Sequence, residues 1–116
     1  MFVLVAGSRG MASPSDVIRI NQVLDALYAD DRREKWHSVV SGGARGVDQI
    51  GEEWARAPAL PLVRITPNWT LYGRSAPIRR NADLVSACEF AVVFWDGESR
   101  GSVRKRRTAG TIRLLS

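Results

Sequence analysis

The strongest constraint on the fold is the character of the apolar runs and the way they end. Residues 2–6 (Phe-Val-Leu-Val-Ala) and 90–95 (Phe-Ala-Val-Val-Phe-Trp) are continuously apolar rather than alternating, the pattern of strands buried on both faces of a parallel sheet. Each stops at a glycine-bearing turn, Gly7-Ser8-Arg9-Gly10 after the first and Asp96-Gly97-Glu98-Ser99-Arg100-Gly101-Ser102 after the second. Between them, residues 39–54 read Val-Val-Ser-Gly-Gly-Ala-Arg-Gly-Val-Asp-Gln-Ile-Gly-Glu-Glu-Trp. That is a buried strand, a glycine turn and a helix start, in which Gly42, Gly43 and Gly46 allow positive φ and a close approach of backbone to ligand.

Further strand and helix signals alternate along the chain. Ser13-Pro14-Ser15-Asp16 combines a serine cap, a proline at the first helical position and an acid three residues after the cap. The helix it opens carries an apolar stripe of Val17, Ile20, Val23, Leu24, Leu27 and Tyr28. A charged connection at residues 30–35 leads to a strand at 37–41, and the helix after the glycine turn has Val47, Ile50 and Trp54 on one face. Pro58 and Pro61 bracket its exit, and residues 62–65 make a short strand. Residues 66–76 read as a loop rich in aromatic and basic side chains. A helix then begins near Pro77, with Ile78, Ala82, Val85 and Cys88 assigned to its inner face. After the strand at 90–95, a helix is expected from Ser102 to about Ala109, with Gly110 as its cap, and residues 111–115 add an edge strand. The alternation implies an α/β fold: a mostly parallel sheet of about five strands, right-handed crossovers and helices on both faces.

With 116 residues the chain is expected to form one domain spanning 1–116. Its 45% hydrophobic and 25% charged content is that of an ordinary globular protein rather than a disordered one. The lone Cys88 sits among apolar neighbours and reads as a core residue. The first apolar run has no basic leader and is too short for a signal peptide or membrane span, so a cytoplasmic protein with no membrane partner is expected. One histidine and one cysteine offer no metal-site spacing, and no metal is expected. Residues 59–116 carry 10 basic and 4 acidic side chains against 7 and 8 in residues 1–58. This imbalance favours an anionic partner, whether a nucleotide or a polynucleotide. Arg104-Lys105-Arg106-Arg107 reads as a solvated face, or else as the basic run through which DNA or RNA would be bound.

In a parallel sheet, ligands bind beyond the carboxyl ends of the strands, and every distinctive segment here follows a strand. Four of these segments are Ala-Gly-Ser-Arg at 6–9, Ser-Gly-Gly-Ala-Arg-Gly-Val-Asp at 41–48, Trp-Thr-Leu-Tyr-Gly-Arg-Ser-Ala-Pro-Ile-Arg-Arg-Asn at 69–81 and Phe-Trp-Asp-Gly-Glu-Ser-Arg-Gly-Ser at 94–102. Together and in this order they resemble the SLOG superfamily, and most closely its small YspA-like branch, found in bacteria and their phages. The resemblance implies a Rossmann-like three-layer sandwich that holds a nucleotide or NAD-derived molecule, as a sensor or sequestering protein, with no required cofactor. Relatives include cytokinin-activating phosphoribohydrolases and DNA-processing protein A, and they commonly pair, so a homodimer is expected.

By the same resemblance Gly7, Ser8 and Arg9 line the first loop, and Ser41, Gly42, Gly43, Gly46 and Asp48 the second. Arg80 and Asn81 match the family's Arg-Asn pair, and Gly97, Ser99, Gly101 and Ser102 its last, phosphate-contacting turn. Arginine is suited to fork a phosphate, Asp48 to accept from ribose hydroxyls, and Trp69 or Tyr72 to stack on a base. The phosphoribohydrolases carry a glutamate where Lys105 stands, and an ammonium cannot take over a carboxylate's role in glycosidic cleavage. Catalytic residues are therefore unassigned. An N-glycoside hydrolase remains an alternative, with Asp48, Asp96 and Glu98 as its candidate acids.

Overall fold

The computed structural model describes residues 1–30, 32 and 34–95, together with the backbone of strand 111–115. The turn at 96–102, the helix expected at 102–109, Gly110 and the basic run at 104–107 lie outside the described residues. The elements in chain order are β1 (Phe2–Gly7), α1 (Pro14–Tyr28), β2 (Ser38–Ser41), α2 (Val47–Trp54), β3 (Leu62–Arg64), α3 (Trp69–Tyr72), a 3-10 turn at Gly73–Ser75, α4 (Ala76–Ala87), β4 (Phe90–Phe94) and β5 (Thr111–Leu115).

The five strands form one sheet in the order β3-β2-β1-β4-β5, and every pairing is parallel. The register aligns Val3 with Val39 and Phe90, and Val40 with Val63. The chain builds outward from β1 through β2 to β3, then returns to the other side of β1 for β4 and β5. The order therefore reverses between β1 and β4, the point beyond whose carboxyl ends doubly wound sheets bind ligands.

Two apolar layers flank the sheet, as continuous apolar strands require. On one side Val3, Val5, Val39, Phe90, Val92 and Phe94 pack with Ile20 and Leu24 of α1 and Val47, Ile50 and Trp54 of α2. On the other, Leu4, Ala6, Val40, Ala91 and Val93 pack with Leu84 of α4 and with Cys88. Each fully buried Phe, Leu or Val contributes on the order of 1.5–3 kcal/mol. The architecture is thus the expected Rossmann-like three-layer sandwich.

The serine cap behaves as read: the Ser13 hydroxyl accepts from the Asp16 amide at 3.1 Å and the Asp16 carboxylate accepts from the Ser13 amide at 3.3 Å. The α1 stripe is deepest at Ile20 and Leu24, whereas Val17 and Tyr28 at its ends are exposed. Trp54 is core, as expected, and its indole N-H donates to Asp25 at 2.8 Å.

Three sequence expectations need correction. Residues 66–76 are not all loop, because Asn68 caps a helical turn through its side chain (Leu71 N-H to Asn68 Oδ1, 3.0 Å) and a 3-10 turn follows. His37 precedes β2 rather than joining it, and Ile65 follows β3. On α4, Ile78 is 74% exposed and Ala82 is exposed too; the inward positions are Ala76, Pro77, Arg80, Asn81, Leu84, Val85 and Ala87, followed by Cys88 at its end. That is the three-and-four spacing of one helix face, but its first two turns carry polar groups, so tracking apolar residues alone shifted the stripe.

Candidate functional site

The carboxyl edge around the β1/β4 reversal point is assembled from three chain segments. Gly7 ends β1 opposite Phe94. Ser8 then turns inward and is buried; its amide donates to Phe94 O at 3.1 Å, and its carbonyl accepts from the amides of Met11 at 3.3 Å and Val47 at 3.4 Å. Ser8 therefore ties β1, β4 and the start of α2 together, and it leaves the following Arg9 exposed at the rim.

The second segment is the glycine turn from β2 into α2. Gly46 occupies the N-cap of α2 with φ of 77°, and it supplies no side-chain cap. Asp48, in the first helical turn, is buried and reaches back to accept the Ala44 amide at 3.3 Å. The first turn of α2 combines backbone N-H groups, the positive end of the helix dipole and one carboxylate.

The third segment is the start of α4, where Arg80 and Asn81 lie on the inward face. Arg80 Nη1 donates to the Gly42 carbonyl at 2.9 Å, and its Nε donates to Asn81 Oδ1 at 3.0 Å. Gly42 leaves room for this closeness: a Cβ there would sit 2.9 Å from Arg80 Nη1 and 3.0 Å from Asp48 Oδ2, and these side-chain ends would have to shift. Arg80 and Asp48 thus meet over Gly42. Burial pulls the Arg80 pKa below the ordinary arginine value, the nearby Asp48 charge pushes it back up, and Arg9 pulls it down. Arg80 stays cationic, since guanidinium does not lose its proton in proteins. Two arginines and one carboxylate therefore share this corner, an arrangement suited to a phosphate with an adjoining hydroxyl-bearing group.

A side-chain relay that the sequence reading missed shapes the same turn. The Ser41 hydroxyl donates to Glu52 Oε2 at 2.7 Å and accepts from the Gly43 amide at 3.0 Å. Glu52 in turn receives Arg64 through Nε at 3.0 Å and Nη2 at 2.6 Å. Burial works to raise the Glu52 pKa, but the Arg64 and Ser41 hydrogen bonds and the Arg64 charge outweigh it, and the carboxyl lies below its ordinary value. The Arg64 stem also lies against Gly43, where an added Cβ would come within 2.9 Å of its Cδ. One signal was available, because Glu52 stands four residues after Asp48 and so shares its helix face. The Arg64 partner was not readable, since it arrives from another strand.

Of the remaining nominated residues, Trp69 and Tyr72 lie on α3 and are 60% and 39% exposed. Gly97, Ser99, Gly101 and Ser102, together with Asp96, Glu98 and Lys105, lie outside the described residues. A groove of about 340 Å³ runs along the β3 flank, bordered by Leu60, Leu62 and Arg56 as well as Glu52 and Arg64, and it includes none of Arg9, Asp48 and Arg80. Among the described residues no group of three or more His, Cys, Asp or Glu is placed to hold a metal ion, and no helix is long and apolar enough to cross a membrane.

A doubly wound parallel sheet with polar loops gathered at its reversal point defines a Rossmann-like protein. The chain belongs to the YspA, cpYpsA-related SLOG family, whose model matches residues 1–72. It is also similar to Gene 61 protein of Mycobacterium phage D29, with 31% identity over 118 residues, covering 93% of this chain and 90% of that protein. No solved structure matches it. The family match runs from β1 through α3 and so includes Ser8, Arg9, Gly42 and Asp48. Arg80 and Asn81 lie beyond it and stand on geometry.

Proposed function

We propose that the chain binds a free nucleotide or a nucleotide-derived molecule at the β1/β4 edge and acts as a sensor or a sequestering protein. The observation that carries this reading is the meeting of Arg80 and Asp48 over Gly42, with Arg9 close enough to act on Arg80 electrostatically. In this reading Arg9, Arg80 and the start of α2 hold the phosphate, Asn81 orients Arg80, and Asp48 accepts from ribose. The hydrolase alternative has weaker support, because Lys105 stands where the phosphoribohydrolases carry their glutamate.

Calorimetric titration with AMP, NAD, ADP-ribose and cyclic nucleotides tests the proposal. At least one ligand is expected to bind, and Arg80→Ala to weaken it about tenfold or more, as loss of a charged hydrogen-bond donor implies. Absence of heat across the panel, or full affinity in both Arg80→Ala and Gly43→Asp, would defeat it. Chromatography of the same mixtures is expected to return the nucleotides intact, and release of free base would favour the hydrolase.

A further inference from the structure

We propose that the corner formed by α3 and the first turn of α4 is a docking surface for the unpaired bases of a single-stranded nucleic acid. Trp69 and Tyr72, which the sequence offered as base-stacking groups, take no part in the phosphate and ribose contacts proposed above, so the two readings can be tested separately. The first observation is exposure. No α3 residue is buried, and Trp69, Leu71 and Tyr72 are 60%, 66% and 39% exposed.

The second observation is that these groups are held rather than loose. Asn68 caps the turn, the Gly73 amide donates to Trp69 O, and the Ser75 hydroxyl donates to Tyr72 O at 2.9 Å. Trp69 and Tyr72, three residues apart, share a helix face. The Arg79 guanidinium lies 4.5 Å from the Tyr72 ring centroid, and its Nε donates to Ser75 Oγ at 3.4 Å. An indole, a phenol and a guanidinium thus form a series of flat groups on one corner.

The third observation is charge. From Trp54 to Ala82 the sequence holds five arginines and no Asp or Glu, and Arg74 and Arg79 are exposed at this corner. Stacking platforms beside arginines are how proteins hold single strands, with bases on the aromatic faces and phosphates on the cations. A second copy of the chain fits less well, because apposed corners would bring Arg74 and Arg79 of both copies together with no acid of this stretch to neutralise them.

The test is fluorescence polarisation of a labelled oligothymidylate of about twelve nucleotides over a salt series. Binding is expected at low salt and should weaken as salt rises. Trp69→Ala should cost about fivefold or more. Arg74→Gln and Arg79→Gln should each flatten the log-log salt slope by about 0.7. Circular dichroism checks that these exposed-site variants fold. No oligonucleotide binding at the lowest salt, or unchanged binding by Trp69→Ala, overturns the proposal. Equal binding of a duplex also overturns it, as does equal competition by polyglutamate, which would point to an acidic protein. AMP titration of Trp69→Ala keeps the readings apart: retained AMP binding with lost oligonucleotide binding supports this surface, and oligonucleotide binding by a protein that ignores every mononucleotide supports it without the other.

Discussion

Gly46 is the residue at which the candidate site is least tolerant. Its φ of 77° combined with a ψ of −130° is essentially a glycine-only conformation. An added Cβ would lie 2.5 Å from the carbonyl oxygens of both Ser8 and Arg9. Those obstacles are backbone, fixed by the bonds from Ser8 to Phe94 and Val47, and cannot rotate away as a side chain would. Gly46→Ala is therefore expected to destabilise the fold by about 2–4 kcal/mol, read as a lower urea midpoint at unchanged m-value. A loss under about 0.5 kcal/mol, the range of ordinary surface substitutions, would contradict the described contact. Of the three turn glycines expected to allow positive φ, Gly43 and Gly46 take it and Gly42 does not; the first two were legible because a strand-to-helix turn gives glycine a conformational reason to be there. Ser41 was read as lining the loop. Its observed bonds make it a buried link between Gly43 and Glu52, a distinction that depends on which way one hydroxyl points.

Among the elements, α4 carries the most information about function, because its inward face changes character along its length. Leu84 and Cys88 complete the apolar layer, while Arg80 and Asn81, one to two turns earlier on the same face, look onto the sheet edge. The helix register that seats Leu84 on the sheet is thereby the register that aims Arg80 at Gly42. Leu84→Ala is expected to cost about 2–5 kcal/mol, whereas Ile78→Lys should stay within about 0.5 kcal/mol. Thermal unfolding of the two variants checks this, and the reverse order would restore the face assigned from the sequence. That assignment failed for a physical reason: Arg80 and Asn81 occupy inward positions of α4, and a stripe traced through apolar residues alone passes them by. The short α3 was missed for a different reason. A four-residue turn has too few positions to show periodicity, and only its Asn68 cap marks it. Burial on both sides made β1 and β4 plain, since nothing else requires such continuous apolar runs.

For the whole molecule, the parallel topology and the placement of the glycine turns at the carboxyl ends of the strands were legible, while the coupling between layers and strands was not. The Ser41, Glu52 and Arg64 relay joins the end of β2, the outer turn of α2 and the end of β3, three elements separated in sequence. It links the stability of the fold to the shape of the glycine turn. The Glu52 carboxyl has its pKa lowered in the folded protein, since its hydrogen bonds and Arg64 outweigh the effect of burial. A carboxyl depressed on folding contributes stability that is complete above its unfolded pKa, about 4.3 for glutamate, and is lost as pH falls through the lower folded value. This contribution should therefore be constant from neutral pH down to about pH 5 and decline progressively at lower pH, as the carboxyl titrates through its depressed folded value. Urea unfolding across that range is expected to give a steeper acid loss for the parent chain than for Glu52→Gln, which starts less stable at pH 7 and converges with the parent at low pH. Parallel stability curves would mean that the carboxylate is a surface partner of Arg64 only. Convergence would make it the charge that holds β3 and α2 to the turn over which Arg80 and Asp48 meet.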